Sequence, residues 1–177
     1  EGVGEDGKSW KPMPGEFTMA ALSQEAQWAL ATCHAVTRFG AELVGNQVEV
    51  KMFGATAWDL VELAGETPVV SPPPTQGGSS LSLVRRFEFD HARMTMSVVV
   101  RDEGGTHYVF CKGSFEKIHE LCVPETVPLD YLERAQQHAM EGCYVLSVGF
   151  RPLGKMSPAE VLDLKREDVE TGLSMLG

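Results

Sequence analysis

No run of apolar residues in this 177-residue chain approaches the roughly 18 that a membrane-crossing helix needs. No basic stretch followed by an apolar one opens it, so no secretory signal is read. Neither G-x-G-x-x-G nor G-x-x-x-x-G-K-S/T occurs, which excludes the dinucleotide-fold and P-loop phosphate cradles. There is no C-x-x-C pair, and the five histidines (His34, His91, His107, His119 and His138) show no ligand spacing, so no metal site is expected. Cys33, Cys111, Cys122 and Cys143 read as buried or half-buried thiols in a reducing compartment, with a disulfide pair as the alternative. Positive charge is scarce. Fifteen Lys and Arg face 25 Asp and Glu, for a net charge of −10, which argues against nucleic acid or anionic lipid as the main partner. No nucleophile–base pair and no paired carboxylates emerge from the spacing, so no catalytic residue is assigned.

What is present is enough for one folded domain across 1–177: 43% hydrophobic residues supply a core, and 23% charged residues a surface. The chain opens at Glu1 without an initiating methionine, which predicts a segment of a longer protein. Residues 1–18 read as an irregular arm with one short strand. Apolar spacing predicts a helix from Met19 to Phe39, stopped by Gly40, and a second from Val48 to Leu63. Residues 64–80, rich in Pro, Gly and Ser, read as a flexible loop. Strands follow at Leu81–Asp90, Met94–Asp102 and His107–Lys112, with a hairpin turn at Glu103-Gly104-Gly105. Ser114 caps a helix from Phe115 to Cys122, and another runs from Leu129 to Met140, ended by Gly142. Cys143–Phe150 reads as a central strand, and a last helix starts near Ser157-Pro158. The order of elements predicts an α+β fold: a mainly antiparallel twisted sheet flanked by helices.

Two spots can carry chemistry. At Lys112-Gly113-Ser114 a cation ends an apolar strand, glycine allows close approach, and a helix N-terminus adds donors. That set can hold a phosphate, although Lys-Gly is also a common turn. At Phe87-Glu88-Phe89-Asp90 the two rings share one side of a strand. Phe87 reads as core. Phe89, at the strand end, can lie open and stack on a base, and Met96 on the next strand can supply soft apolar contact or pack in the core. His34 reads as helix packing, and His91, two residues past Phe89, reads as a surface residue with contact to a bound nucleotide as the alternative.

These strings resemble the nucleotide-binding domain of P-type ATPases. The resemblance rests on Phe-Glu-Phe-Asp followed by Arg-Met-Thr-Met-Ser-Val, and on Val109 to Glu116, which is similar to the family's K-G-A/S-P-E motif. It rests also on Ala31-Thr32-Cys33-His34 and on Gly45-Asn46-Gln47-Val48-Glu49. Leu121 to Pro128 and Val50-Lys51-Met52-Phe53 look like the P5 subgroup, particularly P5B, whose members are associated with polyamine transport in endomembranes. The likeness covers residues 25–177, and the end, 163–177, resembles the return into a phosphorylation domain.

The resemblance implies an ATP site. Phe89 matches the adenine-stacking ring, Glu49 the acid near the adenine amine, Lys112 and Gly113 the pocket lysine and its glycine, and Met96 an apolar liner. Arg93, Arg151 and Tyr144 are offered to phosphate. ATP, with Mg2+ in the full-length enzyme, is the implied substrate. The implied partners are the phosphorylation and actuator domains of a parent transporter, with no nucleic acid, no direct membrane contact and a monomeric state. The implied location is the cytosolic face of a membrane, an endomembrane such as lysosome or vacuole. Two departures stand out. Phe115 replaces the family's proline, and Tyr144 replaces the arginine of its G-x-R-V pattern, which removes a positive charge. No D-K-T-G-T and no T-G-E occurs in the chain, so hydrolysis through an aspartyl phosphate is not expected of it alone. The alternative is a regulatory or interaction module of the same fold with weakened or lost nucleotide binding.

Overall fold

The structure, a computed structural model, describes residues 2–3, 10–11 and 19–177. Most of the expected irregular arm, 1–18, lies outside the described residues, apart from a short antiparallel pair, β1 (Gly2–Val3) with β2 (Trp10–Lys11).

The centre is a seven-stranded sheet. Its strands are β5 (Asp59–Val61), β6 (Val69–Ser71), β7 (Leu81–Asp90), β8 (Thr95–Arg101), β9 (Thr106–Ser114), β10 (Leu146–Lys155) and β11 (Ser174–Met175). Each strand pairs antiparallel with its sequence neighbour, so the spatial order is the chain order. The expected α+β architecture with an antiparallel sheet is what the chain adopts.

Helices cover both faces. On the first face α1 (Gln24–Thr32) and α2 (Gln47–Thr56) bury Trp28, Cys33 and Phe53 against Leu83, Val98, Val100 and Phe110. On the second, α3 (Phe115–Leu121), α4 (Tyr131–Met140), α5 (Pro158–Asp163) and α6 (Arg166–Val169) close over Val99, Val109 and Cys111. Alternate residues of β8 therefore enter different cores, and Thr95 to Val100 are all buried. Among the described residues no helix is long and apolar enough to cross a membrane.

Several expectations need correction. The first helix stops at Thr32 rather than Phe39. The β-branched Thr37 and its neighbours form β3 (Thr37–Phe39), which returns as β4 (Glu42–Val44) through Gly40 at φ +62°. Gly40 thus turns a hairpin and does not end a helix. The second helix stops at Thr56, because Ala57 adopts a left-handed conformation (φ 57°) and the chain enters β5. The span 64–80 is not loop throughout: Val69-Val70-Ser71 forms β6, and Val70 is fully buried. The strand expected at Cys143–Phe150 begins at Leu146 and runs to Lys155, flanked on one side only by the two-residue β11. Cys143 and Tyr144 stand exposed before it. The four cysteines are free thiols. Burial pushes Cys33 and Cys122 up to about 12 and Cys111 higher still, so these three stay protonated.

Candidate functional site

A crevice of about 410 Å³ opens on the first face, at the end of β7, β8 and β9. Phe89 forms one wall, Met96 the floor, and Lys112 with Gly113 the inner end. α2 contributes Val48 and Glu49 across from them, and Tyr144 stands on the rim. Seven of the residues singled out from sequence therefore share one cavity: Glu49, Phe89, His91, Met96, Lys112, Gly113 and Tyr144.

The backbone sets this up. The β7–β8 ladder slips between Phe87 and Asp90, which turns Phe89 outward; it is 44% exposed, while Met96 is nearly buried. His91 meets the Phe89 ring edge-on, with centroids 5.0 Å apart. Gly113 pairs with Thr95, and a Cβ there would lie 2.4 Å from the Met94 carbonyl oxygen, so only glycine fits. The following helix is held by the Ser114 side chain, which accepts from Lys117 N–H. Without the proline expected at 115, Tyr131 steadies the turn by donating its hydroxyl to the Phe115 carbonyl at 2.9 Å.

Lys112 is committed to an ion pair. Its Nζ lies 2.8 Å from Glu49 Oε1, and the two side chains are only 7% and 14% exposed. Glu49 sits in the first turn of α2, which Asn46 caps by accepting from Val48 N–H at 2.9 Å. A carboxylate there suits the helix dipole. Its other oxygen accepts Ala35 N–H at 3.0 Å. Burial pushes the Glu49 carboxyl up, but the Lys112 ammonium and the Ala35 amide outweigh it and hold the group below the ordinary range.

His34 supports this loop from inside. Its Nδ1 accepts Val36 N–H at 3.2 Å, which leaves Nε2–H to donate to Ala31 O at 2.9 Å. Burial lowers His34 to about 4, so it is neutral. The residue read as helix packing thus positions the segment that donates to Glu49.

Arg93 and Arg151 are not part of the crevice wall. Arg93 pairs with Glu167 and lies near Asp90, and Arg151 donates to the Asp168 carbonyl at 2.5 Å. Among the described residues Lys112 is the one lysine or arginine lining the cavity, against Glu49 and Glu88, so the wall carries a net negative charge. Glu88, Val48 and Ala35 were not anticipated; the strand bulge that brings Glu88 in leaves no mark in the residue pattern. Among the described residues no His, Cys, Asp and Glu cluster could hold a metal ion. The arrangement suits a planar ring between apolar surfaces, with a polar edge near the Lys112–Glu49 pair.

No family model matches the chain. Among curated proteins it is 35% identical over 167 residues to the human polyamine-transporting ATPase 13A2. It is 33% identical over 165 residues to the probable cation-transporting ATPase catp-6 of Caenorhabditis elegans, and 30% over 161 residues to the mouse probable cation-transporting ATPase 13A4. Each likeness covers 84% of this chain but only 13–14% of the relative's length. With the fold beside this likeness, the chain belongs to the P5 group of P-type ATPases, as one domain of such a protein.

Proposed function

We propose that the crevice receives the adenine end of ATP and that this domain presents the γ-phosphate to the aspartate of a cation- or polyamine-transporting parent. The observation that carries this reading is the meeting of Phe89, Met96, Lys112, Gly113 and Glu49 around one cavity. The Phe89 ring offers a stacking surface worth about 1–3 kcal/mol. Glu49 offers an acceptor to an exocyclic amine, and Gly113 lets the sugar and phosphates pass close to the strand end. The domain's task is positioning, since the phosphorylated aspartate and its Mg2+ belong to the rest of the parent. One ring and one already paired ammonium suit an affinity on the order of 0.1 mM to several mM. The relatives' names, cation- and polyamine-transporting ATPases, favour a parent that spans a membrane, with this domain on its cytosolic side as a monomeric unit whose partners are the parent's phosphorylation and actuator domains.

A second reading is favoured by three observations: Tyr144 stands on the rim without a charge, Lys112 is neutralised by Glu49, and Arg93 and Arg151 are engaged elsewhere. Under it the domain keeps the fold and has lost nucleotide binding. Titrating Mg-ATP into the isotope-labelled chain separates the two. Amide shifts centred on Phe89, Met96 and Gly113 support the first; silence at millimolar nucleotide supports the second.

A further inference from the structure

A strand bulge aims Phe89, and the side chain that satisfies that bulge comes from the far end of the sequence. Where the β7–β8 ladder slips, Glu88 and Phe89 have no rung on β8. Carbonyls freed by such a slip need donors from elsewhere. Arg166 on α6 provides them. Its Nη2 lies 2.7 Å from the Glu88 oxygen, 3.0 Å from that of Thr95 and 3.4 Å from that of Phe87. Its Nη1 faces Asp90 at 3.7 Å. Its Nε donates to Glu170 at 2.8 Å, and the Glu170 side chain is 3% exposed. Glu170 also takes the hydroxyls of Ser97 at 2.8 Å and Thr95 at 3.0 Å.

This network lies on the second face, directly behind the crevice. Thr95 is the rung opposite Gly113, and Met96 the rung opposite Lys112. One guanidinium therefore ties together the ends of the two strands that carry Phe89 and Met96, without itself lining the cavity. A planar fork with five N–H groups can reach two strands and a carboxylate at once; an ammonium on a flexible stem cannot hold that geometry.

We propose that Arg166, oriented by Glu170, is a positioning residue for the nucleotide crevice. It fixes the bulge that presents Phe89 and couples the C-terminal segment to the site. The proposal rests on the nucleotide reading of that crevice. It requires that Arg166→Lys disturb the crevice before any ligand is present.

The test compares amide spectra of wild-type and R166K chains without nucleotide, then titrates both with Mg-ATP. The expected result is a cooperative unfolding transition for R166K, displaced signals for Glu88, Phe89, Met96 and Gly113, and ATP binding weakened about five- to tenfold. The control is Arg85→Lys. Arg85 lies on the same face and donates to the Val161 and Leu162 carbonyls of the same C-terminal segment, so R85K should leave the crevice signals and affinity in place. Unmoved crevice signals in R166K, or an equal loss of affinity in R85K, overturn the proposal. If R166K does not fold, Glu170→Gln replaces it: the same signals should move in the same direction by less, and their staying still overturns the proposal. A wild-type chain that ignores ATP sinks the nucleotide reading alone, because the ligand-free spectra still decide the role of Arg166.

Discussion

Two ion pairs sit back to back across the ends of β8 and β9, and they are built to different standards. Glu170 accepts three side-chain donors, from Arg166, Ser97 and Thr95, and is closed over by α6. Glu49 has one ammonium and one backbone amide, and its pair with Lys112 borders an open cavity. A fully satisfied buried carboxylate fixes geometry, whereas one with lone pairs facing a cavity keeps capacity for a ligand. The pair on the first face borders a cavity, and the pair on the second is closed off.

The largest effect should come from breaking the closed side. Glu170→Ala strands Arg166 and two buried hydroxyls, and should cost about 3–5 kcal/mol in urea unfolding. A loss below about 1 kcal/mol would erase the distinction between the two pairs.

Acid should open the other side first. His34 titrates at about 4 in the fold against 6.5 free. The unfolded chain therefore binds the proton first as pH falls below 6.5, and stability declines until about pH 4, by about 3 kcal/mol in all. Glu49 acts in a lower window. Its folded value is depressed, so its contribution is complete above 4.5 and disappears as pH falls further, through that depressed value. Stability measured across this range should lose most of its slope between pH 6.5 and 4 in a His34→Gln chain. An unchanged slope would place the titrating group elsewhere.

Phe89→Ala should separate binding from folding. The ring is 44% exposed, so the unfolding midpoint should barely move, while ATP binding weakens by about 1–3 kcal/mol. A lost fold with unchanged affinity in the surviving molecules would make Phe89 a packing residue. The smallest effect belongs to Arg93→Ala. Its pair with Glu167 is open to solvent, so stability should change by no more than about 0.5 kcal/mol and calorimetric ATP affinity not at all.

Legibility in the sequence followed the range of the interactions. β7, the β8–β9 hairpin and the Ser114 cap rest on neighbours in the chain, and their signals are local. The two early helices were read too long because apolar spacing continues past Thr32 and Thr56. The first gives way at Cys33 (φ −82°, ψ 68°) to the β3–β4 hairpin, and the second is stopped by the left-handed Ala57, an alanine that carries no turn signature. β6 hid among prolines. The crevice residues could be gathered because they sit in strings shared with a family. That Arg93 and Arg151 turn toward α6 could not be read, since their partners Glu167 and Asp168 are fixed only by the packing of the last helix. Nor could the tie from Glu170 to Thr95, 75 residues away.

The meander implies an order of assembly. Every rung of the sheet joins strands adjacent in sequence, so each hairpin can zip as soon as its second strand is available. Thr95 and Ser97 must wait for Glu170, 75 and 73 residues later. The scaffold should thus form early and the seal behind the crevice last. A ribosome-bound chain would carry a sheet complete through β10 whose crevice end is still unfastened until α6 arrives.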